Sequence, residues 1–286
     1  MSDYIIKKLL DNIKYTNQNK SSHWIKYLNN SSDFKNKFKS MGFGGYTKKS
    51  FKDIPYKFLQ KIIFGNKIFY SNIYKKYKIL FDEENRFIDT DTIRHIFTFE
   101  KIKDIPNLRR ICVIGDGKLN GILGAHLTFP NSEIFSVNLS ETLINDYIIL
   151  KESHCELKNS LSLVDNLDFK INDKKLYLIP SNLKNFLLNK NIDLFINIAS
   201  FQEMNINEVD QYLKIIKNNK SKLYCCNREY KKLPGGEELY FNKYSWGDFK
   251  KYFWEDCEWH QKYYSLKFPF IHRYDGNIIH CLVDYS

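Results

Sequence analysis

The residues best suited to chemistry begin with a glycine-rich loop that directly follows a short apolar strand. The strand ICVIG at 111–115 runs into the heptapeptide GDGKLNG, which ends at Gly121, and then into helix-like sequence. Glycines at such a turn let the backbone approach a ligand closely, because they carry no Cβ atom. The spacing GxGxxxG differs from the dinucleotide pattern GxGxxG and suits a nucleoside without phosphates at least as well. The loop predicts cofactor contacts at Gly115, Asp116, Gly117 and Gly121.

Residues at the ends of the next strands extend the predicted cofactor site. Asn138 closes the second strand, about 20 positions past the glycines, where an acidic residue usually holds the cofactor ribose. An amide can also hydrogen-bond a diol, although without the strength of a charge-assisted bond. The remaining predicted cofactor contacts are Leu139, Ser181 after the third strand and Asn197 at the end of the fourth.

Glu203, which follows the fourth strand, is the leading candidate for a general base. Ligands of parallel sheets bind beyond the carboxyl ends of the strands, and this segment is expected there. The neighbouring Phe201 and Met204 could partly desolvate the carboxylate and make it a better proton acceptor. An acid at this place could instead stabilise the N-terminus of the next helix. Ser200 in the same segment is a predicted substrate contact.

Further candidates lie after the fifth strand. Asn227, Arg228 and Glu237 are predicted substrate contacts, and the Arg228 guanidinium could hold hydroxyl groups or a phosphate. His272, between the two closing strands, is a second catalytic candidate because an imidazole titrates near neutral pH. His95 and His154 could also take the same role.

The elements that must position these residues alternate between short apolar strands and amphipathic helices. The predicted strands lie at 111–115, 133–138, 175–180, 192–199 and 222–227. Strands alternating with helices of this length indicate βαβ units and a parallel sheet covered on both faces. The tail, at 259–268 and 277–285, predicts an antiparallel hairpin that closes the sheet edge. The sequence therefore predicts an α/β, Rossmann-like fold over residues 106–286.

Residues 1–105 predict a separate, helical N-terminal cap. Apolar residues recur near the 3.6-residue period in two stretches, Tyr4-Ile5-Leu9-Ile13 and Phe51-Ile54-Phe58-Ile62. Nothing before Pro106 has the pattern of a parallel-sheet strand, and MGFGGY at 41–46 predicts a flexible loop. We expect this cap to cover the acceptor side of the crevice and exclude water, as lids do.

Three segments together resemble the sugar O-methyltransferases of polysaccharide gene clusters. They are VNLSETL (137–143), DLFINIASFQEM (193–204) and LYCCNREYKKLPGGEELYFNKYSW (223–246). The resemblance covers about residues 90 to 250. The sequence departs from the family at Asn138, which is usually acidic, and at Val113, where class I methyltransferases commonly carry Glu or Asp.

The resemblance implies a class I fold that binds S-adenosyl-L-methionine and methylates a hydroxyl of a sugar, nucleotide sugar or glycan, in surface polysaccharide or glycan biosynthesis. Methyl transfer to oxygen depends mainly on alignment, but a sugar hydroxyl is a weak nucleophile and calls for a base. On this interpretation Glu203 would take the hydroxyl proton. A non-catalytic relative of the family stays an alternative.

Charge and motif content bear on two further classes of function. The net charge of +11 invites nucleic-acid binding, but only six of the 44 basic residues are Arg, the preferred reader of phosphates. The lysines are scattered, so we predict no nucleic-acid partner. A nucleotide-sugar oxidoreductase on a Rossmann sheet is disfavoured, because SFQEMNINEVD stands where a Tyr-x-x-x-Lys pair would follow the fourth strand.

Cysteine usage and hydropathy predict neither a metal site nor a membrane span. None of the six cysteines forms a CxxC pair or a Cys/His cluster with zinc spacing, and LYCC predicts buried thiols in a strand. No apolar run approaches the ~20 residues of a membrane helix. The first residues lack the apolar core of a secretory signal, so the sequence predicts a cytoplasmic protein.

Overall fold

The structure, a computed structural model, describes residues 2–16, 20–29, 48–51 and 53–286. Its α-helices are α1 (Ser2–Thr16), α2 (Ser22–Asn29), α3 (Asp53–Phe64), α4 (Asn72–Glu83), α5 (Thr90–Ile102), α6 (Asn120–Thr128), α7 (Ser140–Glu152) and α8 (Ile206–Asn218). The glycine-containing segment 41–46 lies outside the described residues. Among the described helices, none combines the length and the apolar character that crossing a membrane requires.

Twelve strands are described, and eight of them form one sheet. The strands are β1 (Arg110–Ile114), β2 (Glu133–Asn138), β3 (Leu161–Leu163), β4 (Leu176–Pro180), β5 (Leu194–Ile198), β6 (Lys222–Arg228), β7 (Tyr230–Lys232), β8 (Glu238–Tyr240), β9 (Lys250–Asp256), β10 (Lys262–Tyr264), β11 (Ile271–Arg273) and β12 (Ile278–Asp284). The sheet order is β3-β4-β2-β1-β5-β6-β12-β9, and β12 runs antiparallel to both of its neighbours. The predicted α/β fold, mostly parallel with an antiparallel closing strand, is confirmed.

The sheet is buried on both faces. Side chains of β1 alternate between two apolar cores, with Ile111 and Val113 in one and Cys112 and Ile114 in the other. The first core also holds apolar residues of α1 and α4–α7, whereas the second holds those of α8. This period-2 alternation under helices on both sides explains why the parallel strands are nearly continuous apolar runs in sequence.

The described residues before Pro106 hold α1–α5, a 3₁₀ turn at Lys67–Tyr70 and one isolated bridge between Lys48 and Arg86. The apolar stripe of α1 is buried through Ile5 and Leu9, which join the same core as Ile111 of β1. The second predicted stripe behaves differently, because its apolar residues are all exposed: Phe51, Ile54, Phe58 and Ile62.

The predicted closing hairpin is wrong in one of its two strands. Residues 277–285 do contain β12 of the sheet, but its outer partner is β9, not the segment 259–268. That segment instead contains part of a 3₁₀ turn at Glu258–His260 and then β10, which pairs with β11 in a separate two-stranded sheet. The sequence KKYFWED of β9 escaped prediction because its side chains are largely exposed, as befits an edge strand, and only its three central residues are hydrophobic.

Candidate active site

A cavity of about 350 Å³ opens beyond the carboxyl ends of β1, β2, β4, β5 and β6. β1 lies between β2 and β5, so the chain crosses over in opposite directions from this strand, and such switch points are where open α/β sheets bind ligands. Ten residues that the sequence predicts for the site line it: Gly115, Asp116, Gly117, Gly121, Asn138, Leu139, Ser181, Ser200, Glu203 and Arg228. Residues from before Pro106 also reach it, namely Lys20, Ser21, Trp24, Asp91, Arg94 and His95.

Two of the three glycines in the loop are required by protein packing. Gly115 has φ +79°, and a Cβ there would lie 2.2 Å from Ser200 Oγ, on the neighbouring strand end. At Gly121 a Cβ would lie 2.8 Å from Val113 Cγ1, inside the core. These positions tolerate no side chain because protein atoms already fill the space. Gly117 lines the cavity, and its carbonyl accepts a hydrogen bond from Asn145 Nδ2 at 3.1 Å.

Two aspartate side chains accept hydrogen bonds from main-chain amides where α6 begins. Asp116 Oδ2 accepts from the Ile122 amide at 2.8 Å, and Asp146 Oδ1 on α7 accepts from the Leu119 amide at 3.1 Å. Leu119 is left-handed, with φ +63°. Burial, together with the nearby Asp116, raises the pKa of Asp146 well above its ordinary value. The start of this helix is thus capped by the protein's own acidic groups.

Both polar atoms of the Asn138 side chain form hydrogen bonds with the main chain. Its Nδ2 donates to the Asp116 carbonyl, and its Oδ1 accepts from the main-chain amide of Leu139 at 2.9 Å. The side chain is 8% exposed and sits at the cavity wall. These bonds hold the end of β2 against the glycine loop, and the ribose contact stays a prediction.

The start of α7 carries polar groups that the sequence did not single out. Lys20 pairs with Glu141 at 2.5 Å, and both side chains are buried. Glu141 Oε2 and Thr142 Oγ1 are buried atoms without a hydrogen-bond partner in the described parts of the chain. Thr142 and Lys20 line the cavity. Since buried polar atoms are normally hydrogen-bonded, the unpartnered hydroxyl of Thr142 at the cavity indicates a place where a polar ligand binds, whereas Glu141 does not line the cavity. We call Gly115–Gly121, Asn138 and Thr142 the glycine wall.

A second group of lining residues is basic and comes from distant segments. We call Arg94, Arg228, Lys231 and His260 the basic wall. The Arg94 guanidinium is held by contacts within the protein, because it donates to the carbonyl of Lys262 at 2.8 Å and pairs with Asp91 at 3.1 Å. Burial lowers the pKa of His260 well below its ordinary value, and the positive charge of Arg94 adds to this effect.

Arg228 is held in place by its main chain and an aromatic ring, and its guanidinium has no carboxylate partner among the described residues. Its main-chain amide donates to Gln202 Oε1 at 2.7 Å, and its guanidinium carbon lies 5.2 Å from the ring centre of Tyr274. Within the described residues, the ion pairs do not include a carboxylate partner for this guanidinium. A half-buried guanidinium over an aromatic ring at a cavity wall is well placed to bind hydroxyl or anionic groups of a ligand.

Glu203 lines the cavity, and both of its carboxylate oxygens are engaged. Oε1 accepts from Lys231 Nζ at 3.0 Å, and Oε2 lies 3.5 Å from His23 Nε2 on α2. Burial lowers the pKa of His23, although the negative charge of Glu203 opposes the shift. Lys231 is therefore the main counter-charge near neutral pH. Met204 lines the cavity as well, whereas Phe201 is fully buried in the core.

Asn197 and Asn227 lie beneath the cavity and do not line it. Both are fully buried, and Asn227 Nδ2 donates to Asn197 Oδ1 at 2.8 Å. Asn197 also donates to the Ile114 carbonyl at 3.1 Å, which ties the ends of β1, β5 and β6 together. The pair supports the turn in which Ala199 adopts φ +59°. Their roles as direct ligand contacts find no support in this geometry.

His272 and Glu237 also lie away from the cavity lining. His272 on β11 contacts Ser265 Oγ through Nε2 at 3.0 Å and stacks on Tyr263. Glu237, in the turn between β7 and β8, accepts from Ser22 Oγ at 2.7 Å and links this hairpin to α2. Position along the sequence suggested both residues, but in the structure their side chains bond to Ser22 and Ser265 instead.

Comparison with known proteins adds distant structural matches only. No family model matches the chain, and no curated protein matches it. TehB from Haemophilus influenzae is 12% identical, matching 66% of this chain and 62% of its own, with a TM-score of 0.44. The mitomycin 7-O-methyltransferase MmcR is 9% identical, matching 68% of this chain and 58% of its own, with a TM-score of 0.40.

A third match is the cyclopropane synthase MmaA2 from Mycobacterium tuberculosis, 8% identical over 76% of this chain and 95% of its own, with a TM-score of 0.44. The matched part spans less than two thirds of TehB and of MmcR. Likeness at this distance carries no argument about activity, which must come from the site itself.

Proposed function

We propose that this protein is an S-adenosyl-L-methionine-dependent methyltransferase whose acceptor is a sugar hydroxyl. The observation that carries the proposal is the acidic capping of α6 by Asp116 and Asp146. In dinucleotide enzymes the corresponding main-chain amides and the helix N-terminus bind a pyrophosphate. Here the Ile122 and Leu119 amides are already bonded to carboxyl groups, and a phosphate would meet a buried carboxylate. A cofactor without phosphates and with a positive sulfonium suits this wall better.

The polar groups at the start of α7 fit the rest of such a cofactor. Thr142 Oγ1 is an unsatisfied hydroxyl at the cavity, and a ribose diol can bond to such a group. Glu141 holds Lys20, which also lines the cavity, in place behind it. When bound, the cofactor supplies an electrophilic methyl group. The glycine wall, with Leu139 and Ser181 at its edge, would hold and orient it.

The basic wall fits an acceptor rich in hydroxyl groups. Arg228, with its unneutralised guanidinium, would bind sugar hydroxyls, or the phosphate of a nucleotide-linked or phosphate-linked sugar. Ser200 lines the cavity, and its Oγ donates to the Ile114 carbonyl at 3.0 Å. Glu203 would take the proton of the attacking hydroxyl. For this, the acceptor must displace one of its present contacts, most simply that with His23 at 3.5 Å.

The cofactor part of the proposal is tested by calorimetry with the full chain. We expect S-adenosylhomocysteine to bind and NAD to give no heat of binding. Binding of NAD without binding of S-adenosylhomocysteine would contradict the proposal and favour an oxidoreductase.

The acceptor part is tested separately, with methyl-labelled cofactor and a panel of free sugars, nucleotide sugars and glycans. Transfer of label to a sugar hydroxyl is the expected result. Binding of S-adenosylhomocysteine with no transfer to any acceptor of the panel would instead favour a non-catalytic relative.

A further inference from the structure

Two cysteines and a histidine meet beside the basic wall, although they are far apart in sequence. Cys226 lies on β6. Cys257 directly precedes the 3₁₀ turn that follows β9, and His260 is the last residue of that turn. The three ligand atoms lie within 4.8 Å of one another. His260 Nδ1 is 3.2 Å from Cys257 Sγ and 3.6 Å from Cys226 Sγ. All three side chains are buried.

These separations match the ligand geometry of a tetrahedral thiolate–imidazole metal site. With metal–sulfur bonds of ~2.3 Å and metal–nitrogen bonds of ~2.1 Å, tetrahedral angles put sulfur and nitrogen about 3.6 Å apart. The distance from His260 Nδ1 to Cys226 Sγ, 3.6 Å, equals that value, and the distance to Cys257 Sγ, 3.2 Å, is about 0.4 Å shorter. An ordinary hydrogen-bonded pair needs only one thiol at the ring nitrogen, whereas here two thiols converge on the same atom.

The local chain explains how the ligands are held. Cys257 and His260 form a C-x-x-H pair, and the His260 amide donates to the Cys257 carbonyl at 3.1 Å, which fixes the turn between them. The Cys257 amide donates to the Ile278 carbonyl at 2.7 Å, which anchors the same turn to β12. Because β12 separates β6 from β9 in the sheet, a metal ion here would join the two sides of that strand.

We propose that Cys226, Cys257 and His260 bind one thiophilic metal ion of the zinc class. Sulfur and imidazole ligands select such ions over Mg²⁺ or Ca²⁺. In the described residues no fourth His, Cys, Asp or Glu joins the group, so water or a ligand would complete the coordination. His260 also lines the cavity, which makes the metal site part of the basic wall. Binding displaces the thiol protons, so affinity rises with pH.

The test is metal analysis and cobalt substitution of the full chain. We expect purified protein, equilibrated with Zn²⁺ and desalted, to retain one zinc per chain. Replacement by Co²⁺ should give the thiolate-to-cobalt absorption and the visible bands of a tetrahedral site. Restoring zinc to chelator-treated protein should raise its Tm. Neither the metal content nor the spectrum depends on methyl transfer.

A matched pair of variants separates ligation from general loss of packing. Cys226→Ala should lose zinc and the cobalt spectrum, whereas Cys281→Ala should keep both. Cys281 is equally buried on the adjacent strand but belongs to the opposite core. If Cys226→Ala does not fold, Cys226→Ser and the zinc-dependent Tm of the unaltered chain replace it.

Three results would overturn the proposal. One is the absence of retained zinc and of a cobalt–thiolate spectrum in the unaltered chain. Another is equal zinc retention by Cys226→Ala and Cys281→Ala. The third is a disulfide between Cys226 and Cys257, seen as two fewer titratable thiols than the six of the reduced chain.

Discussion

The two walls of the cavity are built by different means. The glycine wall is held by hydrogen bonds between main-chain groups and buried side chains, such as Asp116 to Ile122 and Asn145 to Gly117. The basic wall is assembled from α5, β6, β7 and the turn after β9, and its side chains also make ion pairs and ring contacts with neighbouring residues. A wall fixed by main chain suits one invariant ligand, whereas one made of long side chains can exchange partners. This difference is what we expect between a cofactor side and an acceptor side.

The largest effect is expected from Gly115→Ala, which attacks the glycine wall. A Cβ there meets Ser200 Oγ at 2.2 Å and Ser200 Cβ at 2.4 Å, and φ is +79°. Overpacking together with backbone strain should cost about 2–4 kcal/mol of unfolding free energy, and binding of S-adenosylhomocysteine should be lost. Urea unfolding and calorimetry measure the two effects.

Gly236→Ala is the matched control for this variant. Gly236 has φ +95°, but no atom lies within 4 Å of the position that a Cβ would take, so only backbone strain is added. We expect about 1 kcal/mol of destabilisation and unchanged affinity for S-adenosylhomocysteine. Equal effects of the two alanines would mean that the contact with Ser200 is not what requires Gly115.

The next largest effect is expected from Glu203→Gln, which removes the carboxylate that pairs with Lys231 of the basic wall. Loss of a general base typically lowers turnover by ~10²–10⁴-fold, while the glycine wall stays intact. Turnover should therefore fall and affinity for S-adenosylhomocysteine should stay the same. Glu237→Gln, at an exposed position of the β7–β8 turn, should leave both unchanged. Unaltered turnover in Glu203→Gln would remove Glu203 from the chemistry and leave it as an ion-pair partner of Lys231.

The sequence predicted the glycine wall better than the basic wall, and the physical reason is sequence separation. Strand ends and turns follow from local apolar patterning, so ten predicted residues line the cavity. Arg94 of the basic wall and its partner Lys262 are 168 residues apart, whereas Gly117 of the glycine wall and its partner Asn145 are 28 residues apart. No local pattern reports such pairs.

The same reasoning explains why some predicted residues lie off the cavity lining. Asn197 and Asn227 follow the rule that strand-end polar residues face a ligand, yet they bond each other because their strands are neighbours. Cys226 and His260 are 34 positions apart and meet only through the sheet order. The one local signal for that cluster was the C-x-x-H spacing of Cys257 and His260, which a search for paired cysteines passes over.

A smaller effect is expected from Asn138→Asp, which restores the acidic residue usual at this strand end. If Asn138 bound the ribose, a carboxylate would tighten cofactor binding. In the structure its Nδ2 donates to the Asp116 carbonyl, and a carboxylate cannot donate. Loss of this buried bond should weaken binding of S-adenosylhomocysteine by about 1–3 kcal/mol. Tighter binding by the variant, measured by calorimetry, would show that the position contacts the ligand directly.

At acidic pH the smallest effect of the series is expected from Asp146→Asn, and this effect grows as pH rises. Burial raises the pKa of Asp146 above its ordinary value of 3.8, so the folded protein favours the protonated, neutral acid. A raised pKa contributes stability that is fully present below 3.8 and is lost as pH rises toward the folded-state value. Over that window the loss is about 1.4 kcal/mol per pH unit. Asparagine is neutral at every pH, and its oxygen can still accept from the Leu119 amide.

The variant should therefore match the unaltered chain in unfolding free energy near the ordinary Asp pKa and exceed it increasingly as pH rises. Urea unfolding at a series of pH values measures the difference between the two chains. A constant difference across the series would mean that Asp146 titrates normally in the folded protein. The acidic cap of α6 would then carry two negative charges at neutral pH, which would make the glycine wall still less able to accept a phosphate.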